Sequence, residues 1–492
     1  MNNQSIYPAL APRRGAAITM QILVFGGVTV IMLSGFMLWT YSALTFSLRG
    51  LHRAASFSIA EAGIEYYRWH LAHNKSDYQD GTGTPGPYVH PYYNRLGERF
   101  GTFTLDITPP PSGSTIVTVR STGRVDADPT VQKIIQVKFG IPSFAKYAVA
   151  TNNNMRFGEG TDIYGEIISN QGLRIDGTAH NLVQSARTTY NDPDHAGADE
   201  YAVHTHRDLP PSTATDNTFR PLEAPPNPLA ERSDVFLAGR AVGVPAVNFV
   251  GLSQNLSDIR TIASTSGIYA TSSGSYGFEL VLNATGTYAL YRVTALAPPP
   301  SGSCSNALGQ TGWGTWSVQT ETLVKSGPFP ANGIFFFEDN LWVRGMINGA
   351  RLTIGSGRFP DNSTTRTSIA VNQDLRYTNY DGTDVIQLIM QNNFNIGLFS
   401  SDTLRVDAAL IAQNGRVGRY YYPSGCSPYH IRQKITSYGM IATNLRYGFA
   451  YTDGTGYQNR ELVYDSNLLY GPPPESPQTS SQYVQVSWEE VR

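Results

Sequence analysis

The sequence predicts an α+β protein anchored in a membrane by one long N-terminal helix, with a small antiparallel sheet and a large, mostly β body beyond it. Three observations predict this class. Residues 16–48 contain no Lys, Arg, Asp, Glu or His, a run longer than the ~20 apolar residues that span a bilayer core. No proline stands between Pro12 and Pro85, so nothing forces a helix to stop where the apolar run does. The chain also holds 47 Gly, 30 Pro and 29 Tyr but only 15% charged residues, the composition of short strands joined by many turns.

Residues 1–15 read as a polar leader closed by Arg13-Arg14-Gly15. The apolar run behind it exceeds the ~7–15 residues of a secretory signal peptide. Past the run, Leu48, Leu51, Ala55, Ile59, Ala62, Tyr66 and Trp69 recur at spacings of three and four, which predicts one buried helical face. A single helix over 16–73 would be ~85 Å long at ~1.5 Å per residue. Its first half would lie in lipid and its second half on a domain outside. Arg13 and Arg14 balance Arg49 and Arg53 across the span, so positive-inside counting does not orient it. The Gly- and Tyr-rich body places the remainder outside the cytoplasm.

A basic pair, a Gly and an uninterrupted apolar helix resemble a type IV prepilin. Ala60-Glu61-Ala62-Gly63, in the context SFSIAEAGIEYY, is similar to the segment found in the PilX N-terminal family of minor pilins. The resemblance implies cleavage by prepilin peptidase between Gly15 and Ala16, and partnership with other pilins and the pilus assembly machinery. It also implies a single-pass membrane protein with its body at the cell surface. One departure stands out. Major pilins carry Glu at the fifth mature position, where this chain has Met20. A buried carboxylate needs a partner, and its absence implies a filament-tip or initiation role with no subunit ahead.

Residues 74–141 follow as a small pilin-like sheet. A Gly/Pro/Tyr-rich connector over 74–93 leads to three strand-like runs at 103–108, 115–121 and 131–139. Turns at 109–113 and 124–129 separate them. Small residues at Ala60, Ala62 and Gly63 permit close approach of helix and sheet, and Glu61 could cap or bond the sheet edge.

From 142 to 492 the texture is short alternating runs punctuated by Gly and Asn, at 163–175, 333–355, 404–417 and 435–445. Such a pattern predicts the coils of a parallel β-helix, with a β-sandwich as the alternative. SNQGLRIDG, ALIAQNGRVG and the closing YVQVSWEEV also resemble segments of large PilX-like proteins with a β-solenoid body. Residues 191–230, rich in Pro, Thr, His and Asp, read as an insertion, and a short helix is expected near 255–264. Two cysteines permit one intramolecular bond, Cys304–Cys426, which an oxidising compartment favours. Two separate buried thiols or an intermolecular bond are the alternatives.

Lys plus Arg number 36 against 38 Asp plus Glu, with no polybasic block, which argues against a nucleic-acid partner. No G-x-S-x-G and no phosphate loop occur. The loop DPDHAGADEYAVHTHRD brings His195, His204 and His206 near Asp194, Asp199, Glu200 and Asp208 and could hold a metal if it folds back on itself. With no rigid element to hold it, a solvated polar loop is the expectation, and no cofactor is assigned. Asp126, Asp128, Asp381 and Asp384 do not match a calcium-loop spacing and are expected to serve turns. The sequence therefore describes a structural minor-pilin-like component with an adhesive or scaffold body, not an enzyme. The alternative is a membrane-anchored polysaccharide-active or sugar-binding protein, with Phe335–Phe337 and Tyr420–Tyr422 as stacking surfaces.

Overall fold

Helix α1 runs over Arg14–His73 without a break, as the proline-free sequence permits. The structure is a computed structural model that describes residues 14–110, 115–141, 146–249, 251–469, 471–477 and 482–491. The leader up to residue 13 and the turn residues 111–113 lie outside the described residues. In the apolar half, polar side chains close onto the helix itself. Thr29, Ser34 and Thr40 each donate to the carbonyl four residues back at 2.7 Å, and Thr45 does so at 2.8 Å. Hydroxyls satisfied in this way suit a lipid surround, where water is not there to pair them.

The chain divides into two units. The first holds α1 and a five-stranded sheet of β1 (Tyr88–Tyr93), β2 (Arg99–Thr108), β3 (Val117–Val125), β4 (Asp128–Gly140) and the strand Val484–Val491, in that order. β1 pairs antiparallel with β2, and β2 with β3. Two expectations are corrected here. The end of the 74–93 connector is itself a strand, β1. The last strand does not belong to the body assigned to 142–492 but lies beside β4, where Gln136 bonds Glu489 at 2.6 Å and Lys133 pairs with Glu490. Sheet residues alternate buried and open along β3, the period of a sheet covered on one face.

The buried stripe of α1 is rotated from the expected one. Ser56, Ile59, Ala60, Ile64, Tyr67 and Leu71 are buried, whereas Leu51 is 64% and Trp69 60% exposed. Apolar spacing alone fits either face of a helix this rich in apolar residues. The sheet selects the face carrying the small residues, because they admit the closest approach.

The second unit is built from parallel ladders. In one, Ile268–Ala270 pairs with Ile334–Phe337, then in turn come Arg351–Ser356, Val385–Met390, Thr403–Ala412 and Ile431–Thr443. The ladder continues with Val149–Thr151, Ile167–Ser169, Val183–Ser185 and Arg240–Val242. Every one of these pairings is parallel. The order is permuted relative to the chain. It enters mid-stack at Val149, climbs to Val242, and resumes at the opposite end at Ile268, working back until Thr443 abuts Thr151.

The connecting stretch carries helix α2 (Gly251–Ser266), longer than the helix expected at 255–264. Leu256, Ile259 and Ala263 of α2 bury with Ile334, Phe336, Val385, Ile389 and Ile411. The alternate residues of the same strands, Phe335, Phe337, Ile386, Leu388 and Leu410, form a separate larger core. Both faces are therefore covered, which is why Val385–Met390 is apolar at every position but Gln387. Turns are tied by stacked asparagines: Asn170 donates to Asn152 and Asn152 to Asn444, each at 2.9 Å. Asn414 donates to the Gln391 carbonyl at 2.8 Å. Apart from isolated bridges, antiparallel pairing among the described residues of this unit is confined to two places. These are the strands Gly277–Asn283, Thr287–Leu296 and Val318–Pro328, and the hairpin Thr189–Tyr190 with Glu200–Tyr201.

Candidate functional site

Gly15 and Ala16 lie in the first turn of α1. Met20 is 68% exposed on a surface that continues through Leu23, Phe25, Ile31, Phe36, Trp39 and Leu44. By length and composition α1 is able to cross a membrane once.

Ala60-Glu61-Ala62-Gly63 sits where helix and sheet meet. A Cβ on Gly63 would fall 2.3 Å from Ser121 Oγ and 2.9 Å from the Phe103 ring. On the sheet side, a Cβ on Gly123 would fall 2.1 Å from the Ser56 carbonyl oxygen. Contacts below about 3 Å leave no room for a side chain, so two glycines, one from each element, set the helix–sheet distance. Ala60 is buried, but Glu61 is exposed.

Cys304 and Cys426 are bonded, with their Cα atoms 4.5 Å apart, in a buried cluster with Leu398, Tyr420 and Tyr422. Phe335, Phe336 and Phe337 are fully buried, and Tyr420 and Tyr422 nearly so, so these rings pack the interior, whereas Tyr421 is half-buried and donates to Asp453 at 2.7 Å. The aspartates reserved for turns do that work. Asp384 accepts from the backbone N–H groups of Ala350, Thr378 and Asn379 at 3.0, 3.0 and 2.7 Å. Asp381 accepts from Thr383 at 3.0 Å. Asp126 pairs with Arg99 at 2.9 Å, and Asp128 accepts from the Thr130 hydroxyl at 2.5 Å.

The His-rich insertion is not a solvated loop. His204, His206 and Glu200 are fully buried and Asp192 is 2% exposed. What the sequence reading lacked was a rigid support, and parallel pairing with the coil supplies it. Val203 and His204 pair with Leu173 and Arg174 of the strand Leu173–Ile175, and the His206 N–H donates to Asp176 at 3.0 Å. The hairpin noted above carries Glu200 to the same point. His195 Nε2 lies 2.9 Å from Glu200 Oε2, and His204 and His206 Nε2 each lie 3.2 Å from it. Asp192 Oδ2 is 3.5 Å from His204 Nε2 and 3.8 Å from His195 Nε2.

Burial pushes the Glu200 carboxyl up, but the adjoining His206 and His204 rings and the Arg220 N–H outweigh it and hold the group at about 2. Burial likewise opposes ionisation of Asp192, which the nearby His204 ring and the Asp194 N–H hold well below the usual range. Asp194, expected in the group, instead pairs with Arg446 at 2.6 Å and Arg156 at 3.2 Å. Asp208 pairs with Arg220 at 2.8 Å, and Asp199 is exposed. Asp192 was missed by the sequence reading. Its signal is the D-x-x-H spacing to His195, beside E-x-x-x-H-x-H from Glu200 to His206. A neighbouring cleft of 970 Å³ is lined by Arg156, Asp194, Asp216, Arg446 and Arg460 among others.

No protein-family model and no curated protein matches the chain. Among solved structures, the competence-associated pilin ComZ from Thermus thermophilus is similar over 89% of this chain and 97% of its own. The sequence identity is 13% and the TM-score 0.30, too low for the fold comparison to carry weight.

Proposed function

We propose that this protein is a minor-pilin-like component of a type IV filament system, held by α1 in the membrane or filament core, with its body presented outside. The observation that carries this reading is the division of one 60-residue helix. Its N-terminal half is apolar and uncovered, and its C-terminal half is roofed by a sheet through Gly63 and Gly123. Subunits of that shape pack by their bare helices and display what the sheet supports. The stacked parallel ladders of the body support a β-helix architecture, suited to a rigid, extended scaffold or adhesive surface. Met20 at the fifth position after Gly15 supports a place at a filament tip, since no carboxylate is there to pair with a preceding subunit's amine.

The test is the N-terminus of the membrane-extracted protein. Sequencing is expected to begin at Ala16, and Gly15→Leu is expected to leave the chain uncleaved. A start at Met1, or one near the end of the apolar run, would overturn the prepilin reading.

A further inference from the structure

We propose that Asp192, His195, Glu200, His204 and His206 bind a divalent transition-metal ion of the zinc class, which fastens the 191–230 insertion on itself where it pairs with the strand Leu173–Ile175.

The hydrogen bonding on the far side of each ring carries the inference. His195 Nδ1 faces the Ala196 carbonyl, His204 Nδ1 the Tyr201 carbonyl and His206 Nδ1 the Asp216 carbonyl, each at 3.2 Å. A carbonyl only accepts, so each Nδ1 carries the proton. In a neutral imidazole the other nitrogen is then a bare lone pair. All three such nitrogens converge on Glu200 Oε2, which is itself an acceptor.

The alternative is three imidazolium rings against two carboxylates in a site where no side chain is more than 3% exposed. His206 lies 4.8 Å from the His195 ring and 5.1 Å from the His204 ring, centroid to centroid. Like charges that close and that dry are costly. His204 Nε2, fully buried, also has no hydrogen-bond partner among the described residues, although it points at the same focus. One divalent cation resolves each conflict. It accepts three lone pairs, and its charge faces Glu200 and Asp192, the latter also 3.5 Å from Arg174 Nη1.

The carboxylates are prepared in the same manner. Asp192 Oδ1 accepts from the Asp194 N–H at 3.0 Å, and Glu200 Oε1 from the Arg220 N–H at 2.8 Å. Each is thereby held with its second oxygen toward the rings. Such outer partners orient metal ligands. Candidate ligand atoms of Asp192, His195, Glu200 and His206 lie within 4.8 Å of one another. The nitrogen–oxygen contacts of 2.9–3.8 Å suit four of these five groups sharing one ion at ~2.1 Å, the widest pair drawing together by about half an ångström on binding. Three imidazoles favour zinc and its neighbours over magnesium or calcium. Enclosure of the site favours a structural ion over one open to substrate.

The full chain, solubilised in detergent and stripped with EDTA, is to be titrated with Zn²⁺ alone and, separately, with Co²⁺. About one equivalent of zinc is expected to survive desalting by elemental analysis, and cobalt is expected to give visible d–d bands. Zinc should also protect the insertion against trypsin at Arg207. His206→Asn and Glu200→Gln are each expected to weaken uptake by about 100-fold or more. Variants are compared only where their unfolding profile matches that of the stripped wild-type chain. If the stripped wild-type chain takes up neither metal, or if the folded variants bind as tightly, the proposal is overturned.

Discussion

Gly63 shows how much one missing side chain decides. Gly63→Val would place atoms against Ser121 and Phe103 and is expected to destabilise the first unit by about 1–3 kcal/mol. Gly50→Val, on the same helix with nothing within 4 Å, carries the propensity cost without the clash. Denaturant unfolding of the two variants in detergent separates the effects, and equal midpoints would show that the contact is not limiting. A second residue sets a pH dependence. Burial, and then the facing Glu279 carboxylate, push the Glu321 carboxyl up to about 8, with Arg344 opposing. An acid raised in the fold binds protons more tightly there than in the unfolded chain. Its contribution is therefore complete below the unfolded value of 4.5 and is lost as pH rises through about 8. Stability measured between those limits should fall with pH, and Glu321→Gln should flatten that slope.

At the scale of elements, α2 matters most for the body. It covers strands that would otherwise present Phe336, Ile389 and Ile411 to water. Ile259 is fully buried, so Ile259→Ala is expected to cost about 2–5 kcal/mol. Hydrogen exchange should localise the loss to Ile334–Phe337 and Val385–Met390, whereas uniform protection would show that α2 is not what seals that face. The helix was expected, shorter, near 255–264, as α1 was from its apolar run and lack of proline. That α2 returns the chain to the far end of the stack was not, because nothing local encodes which strand a helix covers.

At the scale of the molecule, both units are closed by pairings between distant parts of the sequence. In the body, Thr443 comes to lie against Thr151. In the first unit, the edge of β4 is covered by Val484–Val491, with the Trp488 ring 6.0 Å from Phe57. Deleting residues 484–492 would leave the long β4 edge open, and such an edge recruits other chains. The truncated protein is expected to aggregate after extraction and to lose protection across β4. A monodisperse truncated protein with β4 still protected would show that the strand is dispensable.

The sequence by itself determined the long helix, the apolar half able to cross a membrane, the β-rich texture of the rest, and Cys304 and Cys426 as the sole cysteine pair. Each of these is written in composition or in a short period, and neighbouring residues suffice to read it. Only the tertiary structure decided which face of α1 is covered, where the chain enters its stack, and that the last strand completes the first sheet. It also decided the state of the His-rich insertion. His195, His204 and His206 were visible as residues, but burial and a shared focus come from pairing Val203 and His204 with a coil strand some thirty residues earlier. Parallel pairing joins segments whose separation leaves no periodic trace, so the sequence held the side chains and the fold alone brought them together.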